Sequence, residues 1–147
     1  MDFSNRILGE IMSKQNYSNV MVSIVLQLLV FLLAFLVSLY LLPDWYVCKW
    51  TAKSFYCFIW VIMIILCIRN KCDVGWVITI ANVLGIVVGQ VLGQEIKNLG
   101  IAKINEATSN ERTYQLSKNY GVVIWGIFII VAFIIGEILH RKRAKIN

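Results

Sequence analysis

Residues able to carry acid-base chemistry are sparse in the apolar parts of this sequence. Glu137 is the one carboxylate placed inside a long apolar run, about one turn before its basic end. A carboxylate within a membrane can couple protons to transport, but Arg141 stands four residues further on, where helix neighbours pair. We therefore predict that Glu137 and Arg141 form an interfacial ion pair, and a proton-coupling carboxylate is the less favoured alternative.

Nucleophilic and metal-binding residues are equally few. Four cysteines are present, with neither zinc-site nor C-x-x-C redox spacing: Cys48, Cys57, Cys67 and Cys72. His140 is the single histidine, and no phosphate loop, dinucleotide fingerprint or G-x-S-x-G motif occurs. We predict no enzyme activity, no cofactor and no metal. A weaker alternative is an enzyme built on three loop carboxylates, Asp44, Glu95 and Glu106.

Small residues recur at every fourth position of one apolar run: Ala81, Gly85, Gly89 and Gly93. On a helix they form one groove in which a neighbouring backbone can approach closely. Asn82 lies on the same side, seven residues before Gly89. Small residues at this spacing, together with an amide, hold helices together in lipid. We predict that this face is the main helix-packing surface of the protein.

Two buried amides extend this hypothesis to the first apolar run. Gln27 must face protein because an amide in hydrocarbon needs a hydrogen-bond partner. Gln27 and Asn82 fall at similar depths in spans that run the same way, so we expect them to hydrogen-bond, and Ser38 and Gln90 are matched in the same manner. The polar stripe of the first span should then pack on the glycine face, within one chain or between chains. In the alternative interpretation, Gln27, Asn82 and Gln90 line a path through several copies.

Composition identifies the elements that position these residues. The chain has 147 residues, 59% of them hydrophobic, and a single proline. These values are typical of a membrane protein, and four runs are long enough to cross a bilayer: about 20–42, 50–68, 74–92 and 121–139. We predict an all-α, polytopic fold with four transmembrane helices in one compact bundle, spanning residues 20–139.

The remaining segments are polar. Residues 1–19 predict a short amphipathic helix on the membrane surface, and residues 93–120 a polar loop that is partly helical. Residues 140–147 form a basic tail, which acts as a stop at the membrane edge. Aromatic residues cluster between Tyr40 and Tyr56, as they do at headgroup depth, so this segment marks one edge of the bilayer.

The distribution of basic residues predicts how the chain is oriented in the membrane. Four spans place both termini on one side, where eight basic residues lie against six on the other. Basic residues beside the spans favour the cytoplasm, so we predict cytoplasmic termini in a multi-pass protein of the cell membrane. The net charge of +6 is explained by this tendency and by anionic lipid, and not by nucleic acid.

Two functions of different class follow. The favoured one is an accessory, regulatory or protective subunit that binds itself or another membrane protein through its helices. The alternative is a small oligomeric channel or transporter for a neutral or weakly selected substrate. The lack of a charged residue at the centre of the spans favours the first, since little is left to drive coupled transport.

Overall fold

The computed structural model describes residues 3–105 and 108–145, with side-chain surroundings described from residue 17 onward in those ranges. Within them the regular structure is helical, without strands. The α-helices of this part of the chain are α1 (Phe3–Tyr40), α2 (Tyr46–Lys53), α3 (Ile59–Ile68), α4 (Cys72–Ile101), α5 (Asn110–Leu116) and α6 (Gly121–Ala144).

Three of these helices are long and apolar enough to cross a membrane. They are α4, α6 and the part of α1 from Tyr17 to Tyr40. The all-α class is therefore confirmed, and the protein has three helices compatible with membrane spans. A fourth crossing exists only if α2 and α3 count together, because these two helices meet at an angle of 59°.

The predicted second span, 50–68, is not one helix. Between α2 and α3 a tight turn covers Phe55–Phe58, and all four of its residues have positive φ angles, from 47° to 59°. L-residues in this left-handed conformation are strained by roughly 1–2 kcal/mol each. The turn directs Tyr56 inward, where its ring meets Phe31 edge-on with 5.7 Å between the ring centroids. Burial of this aromatic pair offsets part of the strain.

Other helix ends also differ from the predicted ones. The third span was expected to end near residue 92, but α4 continues to Ile101, nine residues into the predicted polar loop. The side chains of Gln94 and Asn98 hydrogen-bond along this extension at 3.1 Å. Further on, Ser109 caps α5 by accepting a hydrogen bond from the backbone nitrogen of Arg112 at 3.4 Å. The loop between the third and last spans is thus helical in large part.

The N-terminal segment is not separated from the first span. Helix α1 runs without a break from Phe3, although a surface helix ending near residue 19 was expected. Between Phe3 and the first span the sequence has no proline and a single glycine, Gly9. The helix therefore has no local reason to stop near residue 19. The amphipathic face predicted for residues 1–19 lies mostly outside the described side chains and stays a prediction.

Helix α4 lies at the centre of the bundle, in contact with α1, α2, α3, α5 and α6. Its burial is greatest among the apolar helices, with half of its most apolar segment buried against 11% for α1. The fully buried core includes Val47 of α2, Met63 and Cys67 of α3, and Val74 and Ile78 of α4. Helix α1 instead exposes most of its apolar side chains, as a lipid-facing helix does.

Candidate functional site

Gln27 is fully buried and lies in a small polar cluster between α1, α3 and α4. Its Nε2 donates to Ser23 Oγ at 3.0 Å and to Cys67 Sγ at 3.4 Å. Its Oε1 lies 3.1 Å from the hydroxyl of Thr79. Ser23 also accepts a hydrogen bond from Trp76 Nε1 at 3.0 Å. The amide of Gln27 therefore joins three helices through partners within one chain.

Asn82 is also buried, but its partner is different from the expected one. Its Oδ1 accepts a hydrogen bond from Trp125 Nε1 of α6 at 3.1 Å, and its Nδ2 has no partner among the described residues. The expected bond between Gln27 and Asn82 is therefore not present. Gln27 lies opposite Gly75, with its Oε1 2.9 Å from the position a Cβ would take there, which is about two turns from Asn82.

Gln90 hydrogen-bonds to the start of α2. Its Oε1 accepts a hydrogen bond from the backbone nitrogen of Val47 at 3.0 Å. This nitrogen is one of the free donors at the start of α2, so Gln90 caps that helix from α4. The expected match with Ser38 is not made, because Ser38 lies beside the side chains of Cys48 and Tyr56. The predicted path-lining amides are thus each hydrogen-bonded inside one chain.

The glycine face of α4 contacts α6, and not α1 as expected. A Cβ at Gly89 would lie 2.5 Å from the carbonyl oxygen of Gly121, and one at Gly93 would lie 2.5 Å from the Gly121 backbone. At Gly85 the nearest atoms are those of Trp125, at 3.2 Å, and of Phe128. Helix α1 meets α4 nearer the start of that helix, where Gln27 lies against Gly75 and Thr79.

Ala81 follows the same face and is buried, 5% exposed. The residues singled out by spacing, Ala81, Gly85, Gly89 and Gly93, are all buried together with Asn82. Sequence spacing located this close approach, but it could not identify the facing helix. Gly121, which stands at the start of the last span, was the missed partner and completes a backbone contact of glycine on glycine.

Ion pairs join the start of α4 to the end of α6. Glu137 is paired chiefly with Lys71, whose Nζ lies 2.7 Å from its Oε1. The predicted partner Arg141 is more distant, with 3.9 Å between its Nε and Glu137 Oε2, and its side chain is 79% exposed. The predicted pair is therefore the weaker of two. Lys71 was missed because it lies 66 residues away in sequence.

A second pair lies at the same end. His140 Nδ1 is 3.0 Å from each carboxylate oxygen of Asp73. Asp73 stands in the first turn of α4, where its negative charge is favourable to the helix dipole, and His140 stands near the end of α6. In the sequence, His140 stands at the start of the basic tail, and this position alone gives no sign of its pairing with Asp73. The two helices run antiparallel, which brings the start of α4 next to the end of α6. This arrangement was the signal from which the pair of Asp73 and His140 could have been predicted.

Chemistry beyond packing has little support in the described part of the chain. It contains no group of three His, Cys, Asp or Glu residues able to hold a metal ion. Asp44 and Glu95 are exposed and lie in different parts of the fold, and Glu106 is outside the described residues. The absence of enzyme activity, cofactor and metal therefore stays a prediction.

One apolar groove opens on the side of the bundle. It has a volume of about 280 Å³ and lies between α1, from Val30 to Ser38, and Val83–Val87 of α4, with Leu42 just after the end of α1. Trp45 and Cys48 close it at the α2 end, and Ser38 supplies the only hydroxyl in its lining. An apolar recess at this position can receive hydrocarbon, but it offers no polar site for a water-soluble substrate.

The fold and the contacts define a class: an all-helical protein with three helices able to cross a membrane and an internally hydrogen-bonded core. The chain has no significant match among protein-family models, curated proteins or solved structures. The function must therefore be argued from the contacts themselves.

Proposed function

We propose that this chain is a small integral protein of the cell membrane that acts through helix–helix association. In this role it is an accessory, regulatory or protective subunit of a membrane system. One observation carries the proposal: the side-chain amide oxygens of Gln27, Asn82 and Gln90 all accept hydrogen bonds within the chain, while Asn82 Nδ2 has no partner among the described residues. Their polar groups therefore stabilise the bundle, and contact with another protein is the simplest use of the surface that remains.

The helices leave a broad apolar surface for such contact. On α1 alone, large side chains that are about half exposed include Val25, Leu29, Leu32 and Leu33. Helices in lipid associate by close packing, without hydrophobic gain, so small notches on this surface matter most. Gly126 of α6 is such a notch, because a Cβ there would meet nothing within 4 Å. The partner is a second copy of the chain or another membrane protein.

The channel or transporter alternative lacks a specific observation in its favour. A path lined by Gln27, Asn82 and Gln90 would require each amide to leave its present partner. Breaking a buried hydrogen bond without replacement costs about 1–3 kcal/mol for each group. Solute flux that depends on these amides would establish this alternative.

We also propose that both termini face the cytoplasm. The ion pairs at the start of α4 and the end of α6 place Lys71 and Arg141 at one end of the bundle, and residues 141–143 extend this basic end. Basic residues adjacent to spans favour the cytoplasmic side. A maleimide accessibility assay with single cysteines at Lys145 and at Ser109 should label the first from the inside and the second from the outside.

Photocrosslinking in intact cells tests the association. A photoreactive amino acid would replace one of three similarly exposed residues on different helices: Leu29, Leu84 and Ile127. A partner helix covers one face, so we expect one adduct of fixed mass at one of these positions. The other two positions serve as matched controls for lipid exposure.

A protein adduct at none of the positions, or equal adducts at all three, would contradict the proposal. An adduct of twice the chain mass would identify self-association. Solute flux through reconstituted vesicles then separates a packing dimer from a channel.

A further inference from the structure

We infer that the apolar groove between α1 and α4 is a binding site for one anionic phospholipid. The acyl chain lies in the groove, and the phosphate lies at the α2 end beside Lys49. The inference depends on the membrane location of the chain and not on the identity of any partner protein.

The shape and lining of the groove fit an acyl chain. Along α1 it extends from Val30 to Ser38, which corresponds to about 12 Å of helix, and it continues to Leu42 just after the helix ends. Its lining is almost wholly apolar, and α4 contributes Val83, Ile86 and Val87. It faces outward at the depth of the apolar spans, where lipid tails are the surrounding medium. A chain seated there fills space that the helices leave open.

The α2 end of the groove supplies a cation. Trp45 lines the groove and precedes α2, and Lys49 follows one turn later on the same side of this helix. Lys49 and Lys53 are both exposed, while the opposite face of α2, with Val47 and Thr51, is buried. Neither lysine has an acidic partner within salt-bridge distance among the described residues.

The depth of this end matches a lipid headgroup. Trp45 lines this end, with Tyr40, Tyr46 and Trp50 near it in sequence, and such rings concentrate at the interface between hydrocarbon and headgroups. A lysine at this depth attracts an anionic phosphate, which favours anionic over zwitterionic lipid by about fivefold for one charge. The apolar groove accepts an acyl chain and Lys49 at its end attracts a phosphate, so both features favour an anionic phospholipid.

Native mass spectrometry of the purified protein tests the site. The probes are phosphatidylglycerol and phosphatidylcholine with identical acyl chains. We expect the wild type to retain one phosphatidylglycerol more strongly than phosphatidylcholine. Ala34→Phe places a ring in the groove and should abolish retention of either lipid. Leu32→Phe, at a lipid-facing position on the opposite side of α1 and 52% exposed, is the matched control and should bind normally.

The charge is tested separately. Lys49→Gln should lower the preference for phosphatidylglycerol about fivefold while retention of phosphatidylcholine is unchanged. Lys103→Gln, an exposed lysine after α4, is its control and should leave the preference as it is. Equal retention of both lipids by the wild type, or unchanged lipid retention by Ala34→Phe, would overturn the inference. A change of oligomer mass in Ala34→Phe with unchanged lipid binding would show that a second copy occupies the groove, which also overturns it.

A measurement without a groove variant covers the case in which Ala34→Phe does not fold. Phosphatidylglycerol brominated on its acyl chain quenches nearby tryptophans. The difference in quenching between the wild type and Trp45→Phe reports Trp45 alone. Stronger quenching of this residue by the brominated phosphatidylglycerol than by brominated phosphatidylcholine supports the site, and equal quenching contradicts it.

Discussion

Alanine at Gly89 and alanine at Gly126 should change stability in opposite directions. Both residues are glycines inside membrane-compatible helices, but their surroundings differ. A Cβ at Gly89 would lie 2.5 Å from the carbonyl oxygen of Gly121, whereas a Cβ at Gly126 would meet nothing within 4 Å. The first is blocked by backbone, which cannot rotate away as a side chain can. Helices α4 and α6 must therefore move apart to accept Gly89→Ala.

The expected magnitudes follow from these distances. Forcing extra atoms into a packed contact destabilises by about 1–3 kcal/mol. Replacing glycine by alanine in a helix returns up to about 1 kcal/mol through backbone entropy. We expect a net loss of up to about 2 kcal/mol for Gly89→Ala and a gain of up to about 1 kcal/mol for Gly126→Ala.

Reversible unfolding in mixed micelles of a mild detergent and dodecyl sulfate measures both changes. Helix content by circular dichroism reports the transition, and equal protein concentrations remove any effect of self-association. If Gly89→Ala were as stable as Gly126→Ala, the glycine face would not hold α6 against α4. A loss of stability only at high protein concentration would place the contact between chains.

Three further changes follow from the contacts. Gln27→Leu removes the bonds to Ser23, Cys67 and Thr79, so we expect a loss of about 1–3 kcal/mol in the same unfolding assay; unchanged stability would show that the cluster is not structural. Cys57→Gly should raise stability by about 1 kcal/mol relative to Cys57→Ala, because φ at this position is 47°. A continuous helix through residue 57 would reverse that sign. Lys71→Gln should lower the unfolding temperature more than Arg141→Gln does, since Lys71 is the closer partner of Glu137; equal effects would contradict this order.

The sequence was sufficient to predict the helical class and three of the four proposed membrane-compatible runs. A continuous apolar run of about twenty residues has few interpretations other than a membrane-spanning helix. Two of the residues chosen by the fourth-residue spacing, Gly89 and Gly93, lie where the backbone of α6 approaches α4 closely. Both results depend on local properties of the chain, which a single sequence contains.

Pairings between distant segments were the part that could not be predicted. Similar depth was used to match Gln27 with Asn82, but depth does not fix the direction a side chain takes around its helix. Lys71 and Glu137 are 66 residues apart, and only the packing of α6 along α4 brings them together. The break at Phe55–Phe58 was missed because its residues carry no glycine or proline, the usual markers of a left-handed turn.

Solute flux through proteoliposomes is the most direct test between a function by helix association and a function as a channel or transporter. Purified protein would be reconstituted, and the release of monovalent ions and of small neutral solutes compared with that from protein-free vesicles. If Gln27, Asn82 and Gln90 serve only to hold the bundle together, release from both kinds of vesicle will be equal. Flux that requires the wild-type protein and disappears in a folded Gln90→Met variant would contradict a function by helix association and establish a path along these amides.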